Sequence, residues 1–181
     1  MSGPSVEVPG KSEAEIFGLA ASIRRNLRID TDGFPVIEFL ELGMPQLFPG
    51  FSFALGSKEE MGSNHGLTIP SENTILLRED VYEGLYGGVG RDRFTAAHEI
   101  GHYIMHRNVP IRFHRSAARL KPYMDSEWQA NRFAGALLMP EEKLKKCSSL
   151  TEVTQRFGVS RDAAAVQNRV LAKKQKMGIL F

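Results

Sequence analysis

The sequence lacks the features of a secreted or membrane protein. Its 181 residues include one cysteine, Cys147, so the chain cannot form an internal disulfide and does not require an oxidising compartment. It has no run of roughly 18 apolar residues, the length that a membrane-spanning helix requires. Residues 1–10 contain neither the basic nor the apolar region of a signal peptide. These absences predict a cytoplasmic protein, and the length fits a single domain.

A strong excess of charge of either sign is also absent, since the formal net charge is only +2. Basic residues are nevertheless concentrated in residues 141–181, which hold 9 Lys and Arg against 4 Asp and Glu. Within this part, residues 150–174 have the outline of two helices joined at Gly158, which resembles a DNA-binding helix-turn-helix. The second helix also has an ordinary apolar face, formed by Val159, Ala163, Val166 and Val170. We therefore predict that this tail belongs to the domain and that direct DNA binding is not its function.

The most informative stretch is the pentapeptide from His98 to His102, which has the pattern H-E-x-x-H. In a helix, residues four apart lie on the same face, so the two imidazoles can bind one metal ion. Glu99 follows the first histidine and can act as the general base that takes a proton from an attacking water. This arrangement is typical of a zinc peptidase.

The residues around the motif predict the helix that it needs. Asp92 is a plausible N-cap, and Asn108 to Pro110 provide a stop. One face of the intervening segment is apolar and consists of Phe94, Ala97, Gly101 and Ile104. His106, eight residues after His98, lies about 12 Å along the same helix and is too far away to bind the same ion.

A catalytic zinc site needs a third protein ligand, and the best candidate is Glu127. Ser126 and Gln129 fit a capping box, which places Glu127 in the first turn of a helix of about 13 residues that ends before Pro140. Asp125 is the alternative ligand, although it is better suited to an N-cap. Glu127 could instead only complement the helix dipole. Asn131, one turn later, is a candidate hydrogen-bond partner of His102 or of the ligand carboxylate.

The remaining sequence predicts an α+β fold, with a small, mainly antiparallel sheet packed against helices. Residues 1–11 are expected to be a flexible arm and residues 12–181 a single domain. Predicted helices cover residues 12–28, 35–42 and 79–86, and predicted strands cover residues 51–55, 66–69 and 74–78, of which the last two form a hairpin.

Two segments together resemble the ImmA/IrrE family of metallopeptidases: Arg93 to His106, which contains the motif, and Glu127 to Pro140. The resemblance covers roughly residues 12–172 and implies a zincin-like fold. It implies that His98, His102 and Glu127 bind the metal and that Glu99 is the catalytic base. It does not include the additional C-terminal sensor domain of the radiation-response members, so we expect a minimal peptidase.

The resemblance also implies a function, because several family members cleave helix-turn-helix repressors and so activate prophage, mobile-element or stress genes. We therefore expect a Zn²⁺-dependent endopeptidase with such a repressor as substrate, and Mn²⁺ is an alternative metal. Tyr86, Tyr123 and His114 are candidates for stabilising the oxyanion, and the sequence does not choose among them. The alternative function is a regulator that binds DNA or sequesters a repressor, with a structural metal and no catalysis.

Overall fold

The computed structural model describes residues 5–109 and 120–178 of the chain. Among these residues, the α-helices are α1 (Glu13–Asn26), α2 (Val36–Glu38), α3 (Met44–Leu47), α4 (Lys58–Met61), α5 (Glu79–Tyr86), α6 (Gly90–His106), α7 (Ser126–Leu138), α8 (Glu141–Leu144), α9 (Leu150–Phe157) and α10 (Arg161–Gly178). The strands are β1 (Ser52–Gly56), β2 (Gly66–Ile69) and β3 (Thr74–Arg78). The α+β class and the helical C-terminal part are thus confirmed. No helix in the described ranges is both long and apolar enough to cross a membrane.

The three strands form one mixed sheet in the order β1-β3-β2. The predicted hairpin is present, with β2 antiparallel to β3 and Thr68 opposite Ile75. The third strand, β1, is parallel to β3, with Phe53 opposite Ile75. Because β3 lies in the centre, Ile75 and Leu77 are fully buried, and β2 forms an edge of the sheet beside α6.

The core lies between the sheet and the helices, and its densest part is the packing of α6 on α7. Gly101 permits this packing, because a Cβ at that position would lie 2.9 Å from Cδ1 of Phe133. Ile100, Tyr103 and Phe133 are almost completely buried at this interface and in the adjoining core. The close approach matters for function because α6 carries the H-E-x-x-H motif and α7 carries Glu127.

The N-terminal arm differs from the expectation. Helix α1 begins with a capping box formed by Ser12 and Glu15. The preceding residues, expected to be loose, are hydrogen-bonded in the part that the structure describes. The N–H of Val8 donates to the carbonyl of Met124 (2.9 Å), and the N–H of Lys11 donates to the carbonyl of Tyr123 (2.9 Å). The arm therefore packs onto the turn that leads into α7.

Two segments outside the predicted helices and strands are partly helical. The helix expected to stop at Gly43 instead passes through a π-helical turn (Phe39–Gly43) into α3, because Gly43 keeps a right-handed φ of −72°. Pro45 lies at the start of α3, directly after the π-helical turn. Helix α4 lies in the polar stretch 56–64, where Ser57 and Glu60 form a capping box that sequence inspection missed.

The tail contains the two expected helices, α9 and α10, around Gly158, which has the left-handed φ of 62°. Ser160 accepts a hydrogen bond from the N–H of Ala163, as an N-cap does. The buried face of the tail agrees only in part with the predicted one. Val159 and Val170 are buried as predicted, but Val166 is 44% exposed, and Ala164, Gln167 and Leu171 are buried in addition.

Candidate metal centre

The two motif histidines lie one turn apart on α6, and their Nε2 atoms are 3.0 Å apart. The helix begins three residues earlier than predicted, with Val89 as its N-cap and no side-chain cap. Asp92, the predicted N-cap, lies inside the first turn, is buried, and accepts a hydrogen bond from Nε of Arg91 (2.9 Å). The position of the histidines on one face follows the helical period, which does not depend on where the helix starts.

Glu127 lies in the first turn of α7, as predicted, but Asp125 rather than Ser126 is the N-cap. The Asp125 carboxylate accepts hydrogen bonds from the N–H groups of Glu127 (2.8 Å) and Trp128 (3.3 Å). Ser126 is buried, and its hydroxyl accepts a hydrogen bond from the N–H of Val6 (3.1 Å). The capping role of Asp125 directs its carboxylate to the backbone, while Glu127 is free to point towards α6.

The Glu127 carboxylate bridges the two imidazoles. Its Oε2 lies 3.2 Å from Nε2 of His98, and its Oε1 lies 2.9 Å from Nε2 of His102. Burial opposes ionisation of this carboxyl, but hydrogen bonds to His102 and His98 outweigh it and lower the pKa of Glu127 to about 2.

These three side chains fit a metal ion. Their ligand atoms all lie within 4.8 Å of one another, and they are the one group of this kind among residues 5–109 and 120–178. Two ligands at about 2.1 Å in a tetrahedral site are about 3.4 Å apart, close to the separations found here. Two imidazoles and one carboxylate are also a ligand set of catalytic zinc, which keeps a fourth position open.

Glu99 is almost completely buried, at 1% exposure, and its two carboxylate oxygens have different surroundings. Its Oε2 accepts a hydrogen bond from the hydroxyl of Thr68 on β2 (2.9 Å), which also lies 3.0 Å from the Glu99 carbonyl. Its Oε1 has no hydrogen-bond partner among the described residues. A Cβ on Gly66 would lie 2.7 Å from Cγ of Glu99, so the absence of a side chain there makes room for the carboxylate.

Each histidine of the motif has a hydrogen-bond partner on its other ring nitrogen. Nδ1 of His98 lies 3.1 Å from Oδ1 of Asn131, so Asn131 contacts His98, whereas the prediction offered His102 or the ligand carboxylate as its partner. Nδ1 of His102 lies 3.2 Å from Nδ1 of His106. Such partners orient metal-binding imidazoles and fix which nitrogen carries the proton.

His106 is outside the metal-binding group but inside the hydrogen-bond network. It is 8% exposed, and its Nε2 lies 3.0 Å from Oε1 of Gln129. Burial lowers the pKa of His106 to about 4, which keeps the ring neutral near pH 7. The helical spacing placed His106 too far along the helix to join the metal ligands, and its contacts with His102 and Gln129 were not predicted.

The candidates for oxyanion stabilisation are less well connected to this centre. Tyr86 is 66% exposed at the end of α5, and its hydroxyl lies 3.2 Å from that of Tyr82. Tyr123 is 44% exposed in the 3₁₀ turn Pro122–Met124 before α7. The described contacts connect neither tyrosine side chain to the three candidate metal ligands. His114 lies outside the described residues.

The family comparison agrees with the geometry. The model of the IrrE N-terminal-like domain, a family of M78 peptidases, matches residues 59–167, which is more than half of the chain and includes the whole centre. The chain belongs to this family. Comparison with curated proteins gives no significant match. Membership of the M78 family indicates a metallopeptidase, and the cluster of His98, His102 and Glu127 provides a possible site for its metal.

Proposed function

We propose that the chain is a zinc-dependent endopeptidase that cleaves a helix-turn-helix transcriptional repressor. The observation that carries the catalytic part is the position of Glu99. Its buried carboxylate is next in sequence to a metal-binding histidine, and its Oε1 is unpartnered among the described residues. The three-residue metal site with two imidazoles and one carboxylate supports zinc, and Mn²⁺ remains the alternative metal.

The side chains of this centre divide the chemistry between them. His98, His102 and Glu127 would hold the ion. Zinc, when bound, would lower the pKa of a water molecule to about 7 and polarise a carbonyl group. Glu99 accepts the proton of the attacking water at Oε1 and then donates it to the leaving amine. General acid–base catalysis of this kind contributes about 10²–10⁴-fold.

The sheet supplies a place for the substrate backbone. Strand β2 is at the edge of the three-stranded sheet in the described part of the chain, and its Thr68 contacts the catalytic Glu99. An extended peptide that adds to this edge would form backbone hydrogen bonds and bring its scissile carbonyl to the centre. Such binding requires an extended segment, so the enzyme would favour substrates with exposed loops or local unfolding.

The choice of substrate rests on the resemblance to ImmA/IrrE proteins, several of which cleave helix-turn-helix repressors. The packing of α10 does not favour direct DNA binding by the chain, because Ala164 and Leu171 of this helix are buried in the core of the domain. A repressor substrate implies a cytoplasmic enzyme, since the repressor acts on DNA.

The decisive experiment combines the purified zinc-loaded protein with a helix-turn-helix repressor encoded beside its gene. We expect a discrete repressor fragment with the wild type and none with Glu99→Gln, while both proteins bind one zinc ion. Release of intact repressor from its operator by both proteins would contradict catalysis and indicate sequestration. A salt-dependent shift of duplex DNA by the chain alone would indicate a DNA-binding regulator.

A further inference from the structure

We propose that Gln129 and His106 form a hydrogen-bonded relay that fixes the tautomer of His102 and thereby sets the metal affinity of the site. The relay starts at the N-terminal arm and ends at a metal-binding nitrogen. This inference rests on the proposed metal site. It adds two positioning residues, neither of which contacts the metal.

The first step is the orientation of the Gln129 amide, which is fixed by two backbone carbonyls. Its Nε2 donates to the carbonyl of Pro9 (2.9 Å) and to the carbonyl of Tyr123 (2.8 Å). Both carbonyls can only accept hydrogen bonds, so the NH₂ group must face them and Oε1 must face the opposite side. Gln129 has no exposed surface, so water does not offer an alternative set of partners.

The second step is the tautomer of His106. Oε1 of Gln129 is an acceptor and lies 3.0 Å from Nε2 of His106, so this nitrogen must carry a proton. His106 is 8% exposed. An imidazole that carries its proton on Nε2 offers Nδ1 as a hydrogen-bond acceptor.

The third step concerns which ring nitrogen of His102 carries the proton. Nδ1 of His106 lies 3.2 Å from Nδ1 of His102 and can accept a hydrogen bond from it. A His102 that binds a metal through Nε2 carries its proton on Nδ1, so this contact favours the metal-binding tautomer. Nε2 of His102 faces Nε2 of His98 and Oε1 of Glu127, where the metal would lie.

The relay also explains why the arm packs against the turn before α7. The carbonyls of Pro9 and Tyr123 both accept hydrogen bonds from the Gln129 amide, and the N–H of Lys11 joins the two segments through the Tyr123 carbonyl. The packing of the arm on this turn is thereby connected, through Gln129 and His106, to Nδ1 of His102.

The test uses variants that break or preserve single contacts. His106→Leu removes the hydrogen-bond acceptor that faces His102. His106→Gln keeps a hydrogen-bond acceptor on a side chain of similar length. Gln129→Met removes the amide while retaining the size of the side chain. Met105→Leu is the matched control, because Met105 is an equally buried neighbour on α6 that packs in the apolar core.

Zinc affinity is measured by competition with a chromophoric chelator, and thermal melting of the metal-free proteins reports folding separately. Loss of a hydrogen-bond partner of a metal ligand typically weakens metal binding about 10–100-fold. We expect that loss for His106→Leu, a loss in the same direction for Gln129→Met, and affinities close to the wild type for His106→Gln and Met105→Leu. Equal zinc affinity of the wild type, His106→Leu and Gln129→Met would overturn the relay.

Long-range ¹H–¹⁵N NMR of the zinc-loaded wild type provides a second readout that does not depend on a variant being folded. We expect a proton on Nε2 of His106 and on Nδ1 of His102. A proton on Nδ1 of His106 would overturn the relay even if zinc binds. Failure of the wild type to bind zinc would instead reject the proposed function, so the two failures are distinguishable.

Discussion

The hydroxyl of Thr68 donates a hydrogen bond to Oε2 of Glu99 across 31 positions of sequence, over a distance of 2.9 Å. The contact joins the edge strand β2 to the motif helix α6 and leaves Oε1 of the same carboxylate without a partner among the described residues. One oxygen is thus fixed by the sheet while the other is available to an attacking water. The strand that would receive the substrate backbone therefore also positions the proposed base.

Thr68→Val should lower the rate of proteolysis with little effect on metal binding. The substitution keeps the shape of the side chain and removes its hydroxyl. A hydrogen bond to a charged group is worth about 1.5–3 kcal/mol, so we expect kcat/KM to fall about 10–100-fold. The measurement is the rate of fragment formation, together with zinc affinity by chelator competition.

Thr68→Ser is the matched variant, because it retains the hydroxyl, and it should keep most of the activity. Full activity of Thr68→Val would mean that the hydrogen bond does not position Glu99. A parallel loss of zinc affinity would mean that the variant disturbs the metal ligands instead.

Gly66→Ala should damage the same carboxylate by steric conflict. The new Cβ would lie 2.7 Å from Cγ of Glu99 and 3.0 Å from Cδ2 of Leu77, and both neighbours are buried. Overpacking of this kind costs typically about 1–3 kcal/mol, so we expect a lower midpoint of chemical unfolding and a loss of proteolysis.

The control is Gly18→Ala on α1, an exposed position where a Cβ meets nothing within 4 Å. Replacing a helical glycine with alanine there should raise the free energy of unfolding by about 0.5–1 kcal/mol. Equal stability and activity of Gly66→Ala and the wild type would show that Glu99 can move aside without consequence.

The comparison of sequence and structure shows which parts of the site a local pattern can predict. The positions of His98, Glu99 and His102 follow from the helical period alone, and Glu127 follows from the caps and apolar run of the next helix. The contacts of Asn131 and Thr68 depend instead on how α7 and β2 cross α6. That geometry is set by packing, including the close approach at Gly101, and no local pattern encodes it.

His106 illustrates the intermediate case. His98, His102 and His106 are four residues apart, so the sequence already placed all three on one face of α6. The axial distance from His98 correctly excluded His106 as a ligand of the same ion. Its contact with His102 could have been inferred from the same spacing, whereas Gln129 could not, because it comes from another helix.

Glu127→Ala and Asp125→Ala should separate metal binding from helix capping. Glu127 contacts both imidazoles, so its loss should weaken zinc binding by more than the roughly 10–100-fold typical of an indirect partner. Asp125 caps α7 through two backbone N–H groups, so its loss should cost about 0.5–2 kcal/mol of stability.

The two variants are compared by zinc affinity and by unfolding of the metal-free proteins. Asp125→Ser should restore the cap and the stability. A larger loss of zinc affinity in Asp125→Ala than in Glu127→Ala would make Asp125 the third ligand, which the sequence left as the alternative.

The ion pair of Arg78 and Asp80 should make stability depend on pH at the acid end. Nε and Nη2 of Arg78 lie 2.6 Å and 3.0 Å from the two carboxylate oxygens of Asp80, and the Arg78 side chain is almost completely buried. The hydrogen bonds from Arg78 lower the pKa of Asp80 to about 2. In the unfolded chain the pKa of an aspartate is about 3.9.

Because the pKa is lower in the folded state, the ionised carboxylate stabilises the fold above about pH 4. That contribution should be lost as the pH falls through the range from about 4 to about 2. Asp80→Asn lacks the titrating group, so its free energy of unfolding should approach that of the wild type over this range, while the difference stays constant above about pH 5. The measurement is chemical denaturation of both metal-free proteins between pH 2 and pH 7 in the presence of a chelator. A difference that stays constant down to pH 2 would mean that Arg78 does not hold Asp80 in its ionised form.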